Sequence, residues 1–347
     1  MKASRYSSHA RPARNAAAAA LLVLMATLAA NAQADRGGPE KTAAPIAWPS
    51  PPAAARIRFV RTIDPQSIRR PPSLFARVWR TLVGATAESG MQQPYGVAIG
   101  PDRRIYVADT QSGVIHVYDS ERSRYATLDV RGRSLIGIAA SADRLFVTDS
   151  AAATLSARDL NGRLRWSHGP EAGLARPTGL AICSDRLYVV DTLRHQVVLF
   201  GRDGVRVGEF GSHGHGAGQF NYPTNIACGP GGRVYVTDSM NFRVQVFDAD
   251  GTWASTFGRQ GDGPGDFDKP KGVAVDADAH VYVVEGVRDT VQIFDAGGHV
   301  LLAFGGSGAG AGQLWLPTGI AVSGTTICVT DSANARVQVY EYTGAGR

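Results

Sequence analysis

A short motif, an apolar run closed by an acid, recurs six times in the chain. It ends at Asp109, Asp149, Asp191, Asp238, Glu285 and Asp331, with successive spacings of 40, 42, 47, 47 and 46 residues. The clearest copy is the stretch Tyr222–Phe267, which holds four apolar runs: Asn225–Cys228, Val234–Thr237, Val244–Phe247 and Trp253–Phe257. Between them stand turn formers, Gly229-Pro230-Gly231-Gly232, Asp238-Ser239-Met240-Asn241 and Asp250-Gly251. Runs this short, broken by glycine and aspartate, make an antiparallel meander and not helices. Six such units at a period of 40–47 residues leave few folds open, and the one they fit is a β-propeller of six four-stranded blades. A glycine opens the first run of five units (Gly96, Gly137, Gly179, Gly272, Gly319), with Asn225 in its place in the fourth. Two residues later comes alanine in all six: Ala98, Ala139, Ala181, Ala227, Ala274 and Ala321. Blades converge at the axis of a propeller, so one face of the innermost strand has room for small side chains alone.

The repeat also carries a resemblance. Pro317-Thr318-Gly319-Ile320-Ala321-Val322, then Val329-Thr330-Asp331-Ser332, then Asn334-Ala335-Arg336-Val337-Gln338-Val339-Tyr340 is similar to the NHL repeat. Units three to six follow the pattern closely and unit one in its first two strands. Unit two lacks the Asn-x-Arg and carries Ile136 at a position that is polar elsewhere. Over roughly residues 56–343 the chain resembles six-bladed NHL propellers of the exported bacterial type. That resemblance implies the fold and leaves function open, because such propellers serve as RNA binders, scaffolds, sensor domains and metal-dependent lyases.

The two ends of the chain read differently from its centre. Residues 1–34 hold Lys2, Arg5, Arg11 and Arg14, no acid, the apolar run Ala16–Ala30, and small residues at Ala30, Ala32 and Ala34. This is the pattern of a secretory signal cleaved after Ala32 or Ala34, and it implies a periplasmic or secreted protein. The whole chain has a formal charge of +6; without the four basic residues of the signal, 32 basic residues face 30 acids and the charge falls to +2. Net basicity therefore gives no argument for nucleic acid. No other stretch is long and apolar enough for a transmembrane helix. Residues 35–55 are rich in Pro and Ala and read as an extended linker. Unit six ends soon after its third strand, so Arg56–Ile63 is expected to supply the fourth and close the ring, covering a free sheet edge. Leu74, Phe75, Val78, Trp79, Leu82 and Val83 share one helical face, which predicts a helix over 73–84 capped by Ser73 and ended by Gly84.

Loops joining one blade to the next share a face of a propeller with the hairpins between second and third strands. Here they include Gly211–Phe220, Gly258–Phe267 and Gly305–Leu314, and that variable face is where function is expected. The six acids read as turn caps, since a residue repeated in every blade belongs to the blade. The Gly-rich loops lead into strands, so they read as connectors and not as phosphate cradles. A rim of Arg194, Arg243, Arg288 and Arg336 lies in the hairpins, and Tyr95, Thr178, Thr224, Lys271 and Thr318 share the position after the proline of the first strand. Such a cationic, hydroxyl-lined mouth suits an anionic or polar ligand. His195, His213 and His215 fall on the same face and form the alternative, a zinc site of the kind the resemblance implies for lyases. Cys183, Cys228 and Cys328 are odd in number, and no bridge is expected among them. There is no G-x-S-x-G or H-E-x-x-H.

The expectation is an all-β, six-bladed propeller, monomeric, exported, without a cofactor, acting as a non-enzymatic binding protein for a protein, peptide or glycan ligand and not for nucleic acid. The alternative is a metal-dependent lyase or lactonase acting at the channel mouth.

Overall fold

Each of the recurring acids ends the second strand of a four-stranded antiparallel sheet, and six such sheets form the ring. A computed structural model describes residues 45–50, 53–65 and 90–344. The signal-like segment 1–34 and the helix expected over 73–84 lie outside these, as does much of 35–55. From the axis outward, blade one is Pro94–Ile99, Arg104–Asp109, Val114–Asp119 and Arg124–Asp129, and blade two is Leu135–Ala140, Arg144–Asp149, Thr154–Asp159 and Leu164–His168. Blade three is Pro177–Cys183, Arg186–Asp191, Gln196–Gly201 and Arg206–Phe210; blade four is Pro223–Cys228, Val234–Asp238, Arg243–Phe247 and Trp253–Phe257. Blade five is Pro270–Val275, Val281–Glu285, Thr290–Phe294 and Val300–Gly305, and blade six begins with Pro317–Ser323, Thr326–Asp331 and Arg336–Tyr342.

The ring closes as the sequence predicts. Ile57–Ile63 pairs antiparallel with Arg336–Tyr342 as the fourth strand of blade six, and Ala47–Trp48 adds a short fifth strand outside it. Trp48 packs on Phe304 and Tyr340, which ties the linker to the wall. A bulge at Val60 divides the closing strand in two. Phe59 stands opposite Tyr340 while Arg61 stands opposite Val339, so the inward face changes between them. Ile57 accordingly packs in the core shared with blade five, and Ile63 in the core shared with blade one.

Close approach at the axis falls on the glycines. A Cβ on Gly96 would lie 2.3 Å from the carbonyl oxygen of Ile136 in blade two, and one on Gly319 would lie 2.3 Å from that of Tyr95. Hydroxyls stitch the same seams: Thr148 Oγ1 donates to the carbonyl of Thr178, Thr237 Oγ1 to that of Lys271, and Thr330 Oγ1 to that of Tyr95. The expectation of free cysteines is corrected for one pair. Cys183 and Cys228, at the ends of the inner strands of blades three and four, are disulfide-bonded across 45 residues, whereas Cys328 is free and buried. The two occupy nearly the same place in successive repeats, and that brings their Cα atoms to 5.5 Å.

Candidate functional site

The repeated acids are spent on the backbone. Asp109 Oδ2 accepts the amides of Gln92 and Gln93; Asp149 accepts those of Arg133 and Ser134; Asp191 those of Ala175 and Arg176; Glu285 those of Asp268 and Lys269. Asp238 accepts the amide of Asn221, and Asp331 that of Trp315. Each acid thus clamps the loop that arrives from the previous blade and holds it at the start of the inner strand. In the three blades Asp109, Glu285 and Asp331 occupy, burial pushes the carboxyl pKa up. It prevails at Glu285 and Asp331, while at Asp109 the bonds from His116 and from the amides of Ser112 and Gln92 outweigh it and hold the group low.

The arginines of the rim are spent in the same way in blades four to six. Arg243 Nε donates to Asp238 at 2.8 Å, and its terminal nitrogens bond the carbonyls of His215, Gly216 and Gln219. Arg336 repeats this with Asp331 and the carbonyls of Ala309, Gly310 and Gln313. Arg288 reaches the Gly261 carbonyl and Asp262. These side chains brace the Gly-rich loops, which are themselves closed on the buried anchors Phe220, Phe267 and Leu314. Arg194 is different: its side chain is 49 % exposed and 3.8 Å from Asp191.

The residues after the first-strand proline also divide. Thr178 and Thr318 are buried in hydroxyl networks with Thr192 and with Thr330 and Ser332, and Thr224 bonds Thr237 and the Lys271 carbonyl. Tyr95 and Lys271 turn to each other instead. Lys271 Nζ lies 5.9 Å from the centre of the Tyr95 ring, so blades five and one meet past the inner strand of blade six. No carboxylate pairs with Lys271 among the described residues. Burial lowers its pKa, and the charge of Lys269 lowers it further. Burial raises the pKa of Tyr95, opposed by the charge of Arg176. Arg176 and Lys269 are exposed at the position before the proline, held there by the clamps of Asp191 and Glu285. Lys271, Lys269 and Arg176 thus stand at the starts of the inner strands of blades three and five. The last two are not among the residues singled out from sequence; their signal is one cation in each of two slots that hold Gln93, Ser134, Tyr222 and Leu316 elsewhere.

The histidines do not form a metal set. The rings of His195 and His213 are 4.4 Å apart, and Nδ1 of His195 accepts the Tyr222 amide. Burial, then the neighbouring His213, lowers the pKa of His195. His215 faces away, with Nδ1 2.7 Å from Asn241 Oδ1. Among the described residues no three His, Cys, Asp or Glu side chains converge to hold a metal ion. Nor does any helix among them have the length and apolarity to cross a membrane.

Comparison with known proteins agrees with the geometry. Residues 223–301 match a family model described as a 6-bladed beta-propeller, and residues 314–340 match the NHL repeat. No curated protein matches the chain in sequence. Among solved structures it is similar to a gluconolactonase from Xanthomonas campestris, with 17% identity, a TM-score of 0.57, and coverage of 72% of this chain and 86% of that one. It is similar also to a virginiamycin B lyase from Staphylococcus aureus, with 15% identity, a TM-score of 0.54, and coverage of 75% and 88%. A Bacteroides thetaiotaomicron protein of unknown function gives 16% identity, a TM-score of 0.58, and coverage of 74% and 70%. At such identities the likeness is one of fold. It still corrects the expectation of a non-enzymatic binding protein: the structures that share this ring include enzymes, so the ring gives no ground for a purely binding role.

Proposed function

We propose that the chain is an enzyme of the lactonase or lyase class, working at the channel mouth with Lys271 as its proton acceptor. Lys271 is the observation that carries the reading. It is a cation without a carboxylate partner among the described residues, set over an aromatic ring, with its pKa lowered by burial. Such a lysine holds more of the neutral amine near pH 7 than an exposed one, which is what a general base requires. The enzymes sharing the fold support the class of reaction, by fold alone.

Opening a lactone and eliminating across an ester both place negative charge on oxygen beside a carbonyl carbon. Arg176 and Lys269 supply positive charge at the mouth where it would develop. In the hydrolytic case, Lys271 takes a proton from water as the water oxygen bonds to the carbonyl carbon. The ring C–O bond then breaks, and the departing oxygen takes the proton back from Lys271. In the elimination, Lys271 takes the proton from carbon, the electron pair forms the double bond, and the carboxylate departs. Metal ions serve lyases that resemble this chain, but the histidine arrangement here does not fit one, and neither sequence of steps passes through a metal.

The test is turnover of glucono-δ-lactone and of quinupristin by the purified full chain and by Lys271→Met. Loss of at least about 100-fold in kcat with an unchanged circular dichroism spectrum supports the reading. Equal turnover by the variant, or none of either compound by the native chain, rejects it. We further propose export to an oxidising compartment. The signal-like segment and the Cys183–Cys228 bridge both support this. Intact mass of periplasmic protein should place the mature N-terminus at Gln33 or Asp35, and a cytosolic chain retaining Met1 would refute export.

A further inference from the structure

The face opposite the mouth holds a cleft of about 600 Å³ at the seam between blades six and one. Its walls are the turns after the inner strands of both blades, and Arg61 of the closing strand lines it. Arg61 stands out against its own repeat. The register that sets Arg61 opposite Val339 sets Ala126 opposite Val117, Trp166 opposite Ala157, Gly208 opposite Leu199, Ser255 opposite Val246 and Leu302 opposite Ile293. Five blades fill this position with an uncharged residue, and blade six alone has a cation there. The bulge at Val60 aims it, by switching the strand's inward face from blade five to blade one.

The guanidinium is also unspent. Its Cζ lies 5.2 Å from the centre of the Tyr118 ring, its Nε is sealed from solvent without an acceptor, and none of its nitrogens bonds an acceptor among the described residues. The acids of the cleft are engaged elsewhere, Glu121 with Arg103 and Glu341 with Arg58. This contrasts with Arg243 and Arg336, in which each of the three guanidinium nitrogens bonds an acceptor of the fold. A partly buried arginine without a counter-ion is costly unless something supplies the charge.

We infer that this cleft is a binding site for a small organic carboxylate, with the carboxylate on Arg61. A planar guanidinium backed by a tyrosine ring presents its free edge to a planar two-oxygen anion. Ile99 and Ile105 give the body of the ligand an apolar wall, and Ser120, Thr325 and Thr326 give it hydroxyls. The site is independent of the reaction at the mouth.

The test is calorimetric titration of benzoate into the full chain, with benzamide and inorganic phosphate as comparisons, repeated on Arg61→Leu and Arg61→Lys. Saturable benzoate binding is expected, with benzamide at least tenfold weaker, partial retention in Arg61→Lys and loss in Arg61→Leu. The unliganded melting temperature of Arg61→Leu should equal or exceed that of the native chain. The inference fails if benzoate does not saturate, if its binding survives Arg61→Leu, or if phosphate binds in preference. It fails also if Arg61→Leu melts lower without ligand, which would make Arg61 a brace of the seam.

Discussion

Arg243 and Asp238 form a buried ion pair, Nε to Oδ2 at 2.8 Å, and the guanidinium's remaining donors hold three carbonyls of the loop that arrives from blade three. Arg336 and Asp331 make the same pair two blades further round the ring, at 2.7 Å. Only 13% of the Arg243 side chain and 14% of that of Arg336 is exposed. Arg243→Ala would leave the Asp238 carboxylate and the loop carbonyls without these donors. The expected loss is about 3–5 kcal/mol, typical of breaking a buried pair from one side. Arg194→Ala, at an exposed side chain, should cost about 0–1 kcal/mol. Urea unfolding of the two variants checks this order, and equal stability of Arg243→Ala and Arg194→Ala would show that the brace does not hold the loop.

Lys271 carries an opposite expectation for stability. Its folded pKa lies below the value of a free lysine, so between the two the unfolded chain binds the extra proton. Stability attributable to this residue therefore rises with pH across that window. Below it, both states are protonated and the full cost of the buried charge applies. Lys271→Met should thus be at least as stable as the native chain at pH 7, with its advantage shrinking as pH climbs toward 10. Thermal melts at intervals from pH 7 to 10 read this directly, and a variant less stable at pH 7 would mean that Lys271 is bound to something in the fold.

How far the sequence is readable follows from what repeats. The ring, its closure by Ile57–Ile63 and the structural use of Asp109 to Asp331 could be read because each recurs, or fills a gap in something that recurs. The site could not be read so far, because function lies in the departures. Lys271 is legible as the one cation among Tyr95, Thr178, Thr224 and Thr318, but its meeting with Tyr95 depends on the ring bending blade five toward blade one. Arg61 is hidden more deeply. Strict alternation puts it on the face of Ile57, Phe59 and Ile63, and only the bulge at Val60 separates Ile63 and Arg61 from the other two. Arg243 and Arg336 mislead in the other direction: arginines in variable hairpins suggest a ligand, and their partners are carbonyls more than twenty residues earlier in the chain.

The disulfide joins blades three and four at their inner strands. Cross-linking residues 45 apart restricts the unfolded chain, so its loss should cost about 2–4 kcal/mol. The double variant Cys183→Ala, Cys228→Ala should melt lower than the native chain, and the native chain in dithiothreitol should match the variant. Identical melts in all three states would show that the bridge adds nothing to stability.

The two ends of the closing strand should act separately. Ile57 is fully buried in the core facing blade five and Ile63 is 1% exposed in the core facing blade one. Each Ile→Ala change should cost about 2–5 kcal/mol. Because the bulge places them in different cores, the double variant should equal the sum to within about 0.5 kcal/mol. A shortfall well beyond that would show that the strand detaches as one piece once either end is weakened.

Gly319 tests whether the axis positions the mouth. A Cβ there would lie 2.3 Å from the Tyr95 carbonyl oxygen and 3.1 Å from Thr330 Oγ1, and that hydroxyl already binds both the Gly319 amide and the Tyr95 carbonyl. Backbone of blade one cannot give way without shifting the start of its inner strand, which carries Tyr95. Gly319→Ala should therefore cost about 1–3 kcal/mol by overpacking and should also alter the pairing of Tyr95 with Lys271. Gly208, on the outer strand of blade three, has nothing within 4 Å of its missing Cβ, so Gly208→Ala should be neutral or slightly stabilising. Melting temperature separates the two variants. A tyrosine absorbance titration reports on Tyr95, whose high pKa should fall toward the usual value in Gly319→Ala as its burial loosens. If Gly319→Ala lowers neither the melt nor that pKa, then the inner strands are not packed backbone to backbone and the mouth owes its geometry to the loops.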